Sequence, residues 1–398
     1  MTGRRVIAVI GANFGDEGKG LAVDHFSSLS ENTLVVKHNG GAQAGHTVEL
    51  DDKRFVFHQL SSGSFRHADT LLAETFFPDL FKLTDEAASF RELTGFVPVI
   101  YADTGASVTI IDDVLLNMAL ETSRGSDRHG SCGMGIYEAV LRTQAGFGIT
   151  TGRLSGMTAE ELYHELLRIR REYVVPRLEE LSLGDTGEYG ELLKSEAVLG
   201  NFADGVMRGA MLITPSEGPG ELAEKRENII FEGAQGLLLD QDNERYAPHV
   251  TASSTGLRNP LLLCKKAGLE LDEAVCVMRS YVTRHGAGPL PGECPPEDIG
   301  NITTDRTNVE NPWQGRLRFG LYTSPDELAG TILDGIGAWQ GRVSLFITHL
   351  NETDGRVRFS CGDIPALSLP LKSTFRGRIK TLYTSYSPLG ALTGRLSF

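Results

Sequence analysis

The stretch VIAVIGANFGDEGKGLAVDHF, from Val6 to Phe26, restricts the fold more than any other part of the chain. Its apolar run ends in a glycine and reads as a buried strand, and KGLAVDHFSSLS after it reads as a helix. Strand, glycine turn and helix together are the layout of a nucleotide-binding α/β unit, in which loop amides and a helix start face an anion. The turn departs from the usual phosphate loop, G-x-x-x-x-G-K-[ST], because Asn13 stands at its first position and Gly20 follows Lys19. Amides and a lysine remain for phosphates, but the metal-binding hydroxyl is gone. Asp16 is then either a hard oxygen ligand for Mg²⁺ or a general base beside the phosphates. A plain acidic turn, with Asp16 and Glu17 favoured by the helix dipole, explains the same residues.

A second strand and glycine loop, TLVVKHNGGAQAGHTV, follows and ends in His46 between Gly45 and Thr47. A histidine at the tip of a glycine loop is placed to stabilise charge on a transferring phosphoryl group. Further apolar runs read as strands: VPVIYA (97–102), NIIFEGAQG (228–236), AVCVMRSYVTR (274–284) and RVSLFITHL (342–350). Open α/β sheets bind ligands where such strands end. From 157 the pattern turns helical. Thr158 and Glu161 form a capping-box pair, with Leu162, Leu166 and Ile169 at helical spacing after it. Residues 285–315 hold five prolines and little periodicity, which marks a long functional or disordered loop.

Composition narrows the function. A net charge of −14 over 398 residues argues against nucleic acid as a partner. The five cysteines lack C-x-x-C spacing, which argues against a disulfide framework and structural zinc. The apolar run after Arg4 and Arg5 is too short for a signal peptide, and no stretch approaches the ~18 apolar residues of a membrane span. The expectation is a cytoplasmic protein with no membrane partner.

Taken in order, GDEGKG, GGAQAGHT, FHQLSSGSFR (57–66), HGSCGMGIYEAVLR (129–142), FEGAQGLLLD (231–240), VTASS (250–254) and TRHGAGPLP (283–291) resemble the adenylosuccinate synthetase family. The resemblance implies a large, mostly parallel α/β sheet with flanking helices, related to phosphate-loop folds. The whole chain, 1–398, reads as one such domain, with a helical insertion around 157–200 and a C-terminal part from about 274 carrying the aspartate and donor-base sites. It implies a homodimer and a Mg²⁺-dependent ligase that joins L-aspartate to C6 of a 6-oxopurine nucleotide, through a 6-phosphoryl intermediate.

The same resemblance assigns residues. Asp16 takes the purine N1 proton and binds Mg²⁺, with the Gly45 carbonyl completing the metal shell, and His46 acts at the β–γ bridge or γ-phosphate. Gly15, Glu17, Gly18, Lys19, Gly20 and Thr47 line the donor phosphates. Gln43, Ser131, Cys132, Gln235, Thr251, Arg284 and Gly286 hold the substrate nucleotide, and Arg142 reaches a neighbour's nucleotide across the dimer. Arg316 and Arg318, in QGRLRFG, are suited to the carboxylates of aspartate.

The chain departs from the family pattern at Phe14 for tryptophan, Gln43 for asparagine and Cys132 for threonine. The donor base is the larger departure. The family string T-K-L-D is here THLNETD, with His349 and Asn351, and Ser387 stands for glycine in SYSPLG after Ser385. The aspartate that reads guanine is therefore replaced, and GTP and ATP or dATP are both open as donors. IMP is the expected substrate because Asp16 is kept. Phage-encoded relatives that join aspartate to dGMP tend to lack that aspartate, so dGMP or GMP is the alternative. A nucleotide-binding regulator and a simple NTPase are the readings from other classes.

Overall fold

The computed structural model describes residues 4–125, 131, 133–183, 186–302, 315–390 and 393–397. Ten strands form its central sheet: β1 (Arg5–Gly11), β2 (Thr33–Lys37), β5 (Asp69–Leu72), β6 (Ile100–Asp103), β7 (Thr214–Ser216), β8 (Asn228–Gly236), β9 (Glu273–Arg279), β12 (Arg342–Thr348), β15 (Ile379–Thr384) and β16 (Gly394–Ser397). Six shorter strands pair as antiparallel ribbons: β3 (His46–Leu50) with β4 (Lys53–Phe57), β10 (Val282–Arg284) with β11 (Arg318–Gly320), and β13 (Arg356–Val357) with β14 (Ile364–Pro365). The spatial order of the large sheet is β16-β15-β12-β9-β1-β8-β2-β5-β6-β7, and only the β15–β16 pair is antiparallel.

β1 is near the middle, paired with β8 on one side and β9 on the other. Its alternate residues feed both faces. Ala8 and Ile10 join a core with Val36, Phe231, Met278 and Ile347, while Ile7 and Val9 pack with Val23 and Phe26 of the helix Lys19–Ser27. Each such aliphatic burial contributes roughly 1.5–3 kcal/mol, which explains why this segment reads as unbroken apolar sequence. A further core gathers Phe57, Phe90, Leu162, Leu166, Ile169 and Phe202 among the helices Leu80–Thr94, Ala159–Ile169 and Glu196–Ala210. The Thr158–Glu161 capping box is formed. No helix among the described residues is long and apolar enough to cross a membrane.

Two strands differ from the sequence reading. AVCVMRSYVTR is not one strand: the Ser280 amide makes the last bond to β12, on the Thr348 carbonyl, while the Ser280 carbonyl accepts from the Arg358 amide, so the chain leaves the sheet there and β10 pairs with β11. VPVIYA contributes only its end, since Pro98 has no N–H for a ladder. The carboxyl ends of β1, β2, β8, β9 and β12 lie side by side, and the loops of interest leave from there.

Candidate active site

The loop after β1 is organised around Glu17. Its Oε1 accepts hydrogen bonds from the amides of Asn13 (3.0 Å) and Gly15 (2.8 Å), and its Oε2 lies 2.7 Å from Lys19 Nζ. A Cβ on Gly11 or Gly236 would collide with this carboxylate, so those two glycines make its pocket. Glu17, expected to line the donor phosphates, has its carboxylate turned into the protein. It is an internal anion that fixes the turn, and Lys19 is already paired with it. Asp16 is only half-buried and has left-handed backbone (φ 59°), with its carbonyl accepting from Arg279 Nε at 2.5 Å. Burial raises the Asp16 carboxyl above its ordinary range, against the lowering effect of Arg279, Lys19 and His285. Gly18, at φ 94°, precedes the helix. A Cβ on Gly20 would lie 3.0 Å from the Thr47 carbonyl and 3.1 Å from His46 Cβ, so this glycine lets the first loop meet the second.

His46 opens β3, and its Nδ1 sits 2.5 Å from Glu232 Oε1. Glu232, midway along β8, is level with Lys37 on β2, whose Nζ is 3.3 Å away. The Ser62 hydroxyl and amide also donate to it, at 2.5 and 3.1 Å. Burial opposes the charge of Glu232, but Lys37, His46 and Ser62 outweigh it and hold the carboxyl well below the usual range. Burial pushes His46 down to about 4, so its imidazole is neutral at pH 7. An ionised carboxylate only accepts, so Nδ1 carries the proton and Nε2 is the nitrogen left for a ligand. Sequence reasoning missed Glu232, Lys37 and Ser62. The available signal was a charged residue directly after an apolar run in each of two strands, Lys37 after LVV and Glu232 after IIF.

Gln43 and Gln235 lie on either side of Gly40. The Oε1 atom of each is buried and, among the described residues, unpartnered. Asn39 locks this turn to β8 by exchanging two hydrogen bonds with Ala234. The segment of Ser131 reaches the same place, because Ile136 lies against Gly41. Ser131 itself donates to Asn117 at 2.7 Å, and Thr251 is half-buried, with its amide on Leu239. Cys132 lies outside the described residues.

Comparison with known proteins decides the family. The adenylosuccinate synthetase family profile matches residues 8–317. The chain belongs to the adenylosuccinate synthetase family. An adenylosuccinate synthetase of Pseudomonas paraeruginosa is 28% identical over 327 residues, covering 78% of this chain and 70% of that one. One from a Synechococcus is 32% identical over 296 residues, covering 72% and 63%. Among solved structures, the fully ligated adenylosuccinate synthetase of Plasmodium falciparum superposes with a TM-score of 0.72 at 18% identity, over 98% of this chain and 99% of that one. The cyanophage S-2L succinoaminodeoxyadenylate synthetase does so at 0.62 and 15%, over 98% and 95%. Membership makes this chain a nucleotide-dependent ligase that joins aspartate to a purine nucleotide.

The remaining expected family positions fall into two groups. At the donor-base end, Thr348 Oγ1 donates to the Glu17 carbonyl (2.7 Å), which places His349 and Asn351 just beyond the phosphate loop. His349 is half-buried and Asn351 exposed. Buried Ser385 adjoins them through the Leu350 amide, and its hydroxyl donates to the Ser387 carbonyl. Arg284 is buried with its guanidinium 4.6 Å from the Phe14 ring centroid, and burial pushes it down to about 10. Gly286, at φ 82°, accepts from Arg318 through its carbonyl.

Two arginines are held by partners within the chain. Arg142 is 0% exposed, pairs bidentately with Asp113 (2.8 and 2.9 Å) and donates to the Phe147 and Val108 carbonyls. Arg318 pairs bidentately with Glu293 (2.8 and 2.5 Å) and donates to the carbonyls of Gly286 and Gly288. Its fork is filled by this chain's own groups. Arg316 is exposed on the segment leading into β11.

Proposed function

We propose that this ligase acts on IMP, using Asp16 and His46 as its two chemical groups. The observation that supports it is the close packing of the two glycine loops at Gly20, with His46 oriented by Glu232. Asp16 takes the N1 proton, so that O6 gains the electron pair with which it attacks the γ-phosphorus, and the nucleoside diphosphate leaves. The aspartate amine then attacks C6, the C6–O bond breaks, phosphate departs and the amine loses a proton. His46 presents Nε2 to the transferring group. Gln43, Gln235, Ser131, Cys132, Thr251, Arg284 and Gly286 surround the substrate nucleotide, and Arg316 takes a carboxylate of aspartate. Gly15, Gly18, Gly45, Thr47, His349, Asn351, Ser385 and Ser387 border the donor, with Lys19 below the loop.

Mg²⁺ fits this donor set. The chain offers the Asp16 carboxylate and the Gly45 carbonyl, and no cluster of three His, Cys, Asp or Glu side chains gathers among the described residues. One or two protein oxygens plus phosphates are the usual Mg²⁺ shell. When bound, the ion neutralises phosphate charge. A cytoplasmic homodimer completes the proposal.

The second reading is dGMP or GMP as substrate with ATP or dATP as donor. Asn351 favours it because the carboxylate that reads guanine is gone, and the two unpartnered glutamine oxygens favour it because carbonyl oxygens accept from the 2-amino group of a guanine-type substrate. The cyanophage enzyme is described as bound to dGMP with dATP as energy donor. Phosphate release with aspartate and Mg²⁺ separates the readings. IMP, dIMP, GMP and dGMP are each assayed with GTP, ATP and dATP. Release confined to the guanine-type substrates would discard IMP.

A further inference from the structure

A chain of buried hydrogen bonds runs from the donor-base segment to the backbone of Asp16. The short turn Leu350–Glu352 follows β12 and carries Asn351. Glu352 Oε2 accepts from the Tyr281 hydroxyl at 2.5 Å, and that oxygen accepts from Arg279 Nη1 at 3.1 Å. Arg279 Nε donates to the Asp16 carbonyl at 2.5 Å. A side branch steadies the same arginine: Tyr322 donates to the Arg279 carbonyl (2.9 Å) and accepts from Asn13 Nδ2 (3.1 Å). The His349 ring also packs edge-on against Tyr281, with centroids 6.0 Å apart. Arg279, Tyr281 and Glu352 are each no more than 6% exposed.

Asp16 needs such support. A non-glycine residue in left-handed backbone persists only where its surroundings hold it there. Among the described residues, the charged group bonded to the Asp16 backbone is Arg279, and Arg279 is aimed by Tyr281 and Glu352. Buried hydrogen-bonded charges have few alternative arrangements, so a shift of the 349–352 turn is passed along the chain rather than absorbed.

We propose that Arg279, Tyr281 and Glu352 are positioning residues that couple occupation of the donor-base segment to the placement of Asp16. The inference rests on the reading of Asp16 as the group that takes the substrate proton. None of the three touches the reacting atoms. Their role is to make the catalytic loop respond to the donor.

Tyr281→Phe removes both hydrogen bonds and keeps the ring. It is expected to lower kcat roughly 10- to 100-fold, as small misplacements of reacting groups do, while the donor KM changes less than about threefold. Glu352→Gln retains an acceptor for the tyrosine and should restore most of kcat. Glu352→Ala should behave like Tyr281→Phe. The decisive readout is calorimetric binding of the substrate nucleotide with and without a non-hydrolysable donor analogue. In the wild type the analogue should tighten substrate binding, and in Tyr281→Phe that tightening should disappear with the melting temperature nearly unchanged. Wild-type kcat in Tyr281→Phe, or the same donor effect in both proteins, overturns the coupling. Failure of the Asp16 reading is seen separately, as turnover surviving in Asp16→Ala, and leaves the binding comparison intact.

Discussion

His46 and Glu232 meet at 2.5 Å between imidazole Nδ1 and carboxylate Oε1, although they come from β3 and β8, which belong to different sheets. The same carboxylate receives Ser62 and pairs with Lys37, so one buried anion aims the imidazole, ties down the loop after β4 and neutralises a buried ammonium. Charge-assisted contacts of this kind are short and directional. They fix which nitrogen of His46 faces outward.

Glu232→Gln keeps the shape but removes the charge that orders Nδ1–H. We expect kcat to fall on the order of 10- to 100-fold, the usual loss when the group orienting a functional histidine is changed, with smaller changes in KM. Steady-state phosphate release alongside a melting curve checks this. An unaltered kcat with a lowered melting temperature would reduce the pair to a structural contact.

Glu86 supplies a pH test of stability. It lies half-buried on the helix Leu80–Thr94, its carboxylate accepts from the amides of His58, Gln59 and Leu60, and the enclosure of that group pushes it up to about 7 from 4.5. The folded state therefore keeps a proton that the unfolded chain releases. Its contribution is fully present below pH 4.5 and is lost as pH rises through about 7, a change on the order of 3 kcal/mol. Glu86→Gln should flatten this part of the stability–pH curve, as read by denaturant unfolding at several pH values. Parallel curves for the two proteins would mean that Glu86 is ionised in the fold at pH 5.

Much of this was legible in the chain. NIIFEGAQG reads as β8 over its full length because both faces of that strand are buried, and Thr158–Glu161 marks a helix start by chemistry local to four residues. What stayed hidden depends on distant partners. Glu17 looks like a ligand until Gly236, more than two hundred residues later, is seen to leave room for its carboxylate. Arg142 has the right residue type for a phosphate contact, and only the fold brings Asp113 to its fork. The strand break at Ser280 is invisible for the same reason, since its hydrogen-bond partners lie on β12 and beyond.

The buried pair of Arg142 and Asp113 has a direct consequence. Removing one member of a fully buried, bidentate pair leaves the other charge uncompensated and typically costs about 3–5 kcal/mol. Arg142→Ala should therefore lose stability by that order in chemical denaturation, and Asp113→Ala should do the same. A residue acting on a neighbour's nucleotide would instead leave unfolding unchanged and lower activity alone.

Arg316 and Arg318 separate in the same way. Arg318 joins Glu293 and two carbonyls of the Gly286–Gly288 turn to β11, so its loss loosens that ribbon and leaves Glu293 without its partner. Arg316 is exposed two residues earlier, on the segment leading into β11, and its planar fork suits a carboxylate. Arg316→Ala is expected to raise the KM for aspartate by roughly 10- to 100-fold, the scale of a lost charge-assisted contact, with the melting temperature unchanged. Arg318→Ala should lower the melting temperature, and Glu293→Ala should do so as well. If Glu293→Ala instead lowers the KM for aspartate, then Glu293 is holding the place of a substrate carboxylate, and Arg318 returns to the binding site. Initial rates against aspartate concentration for the three variants, each paired with a melting curve, distinguish the two arrangements.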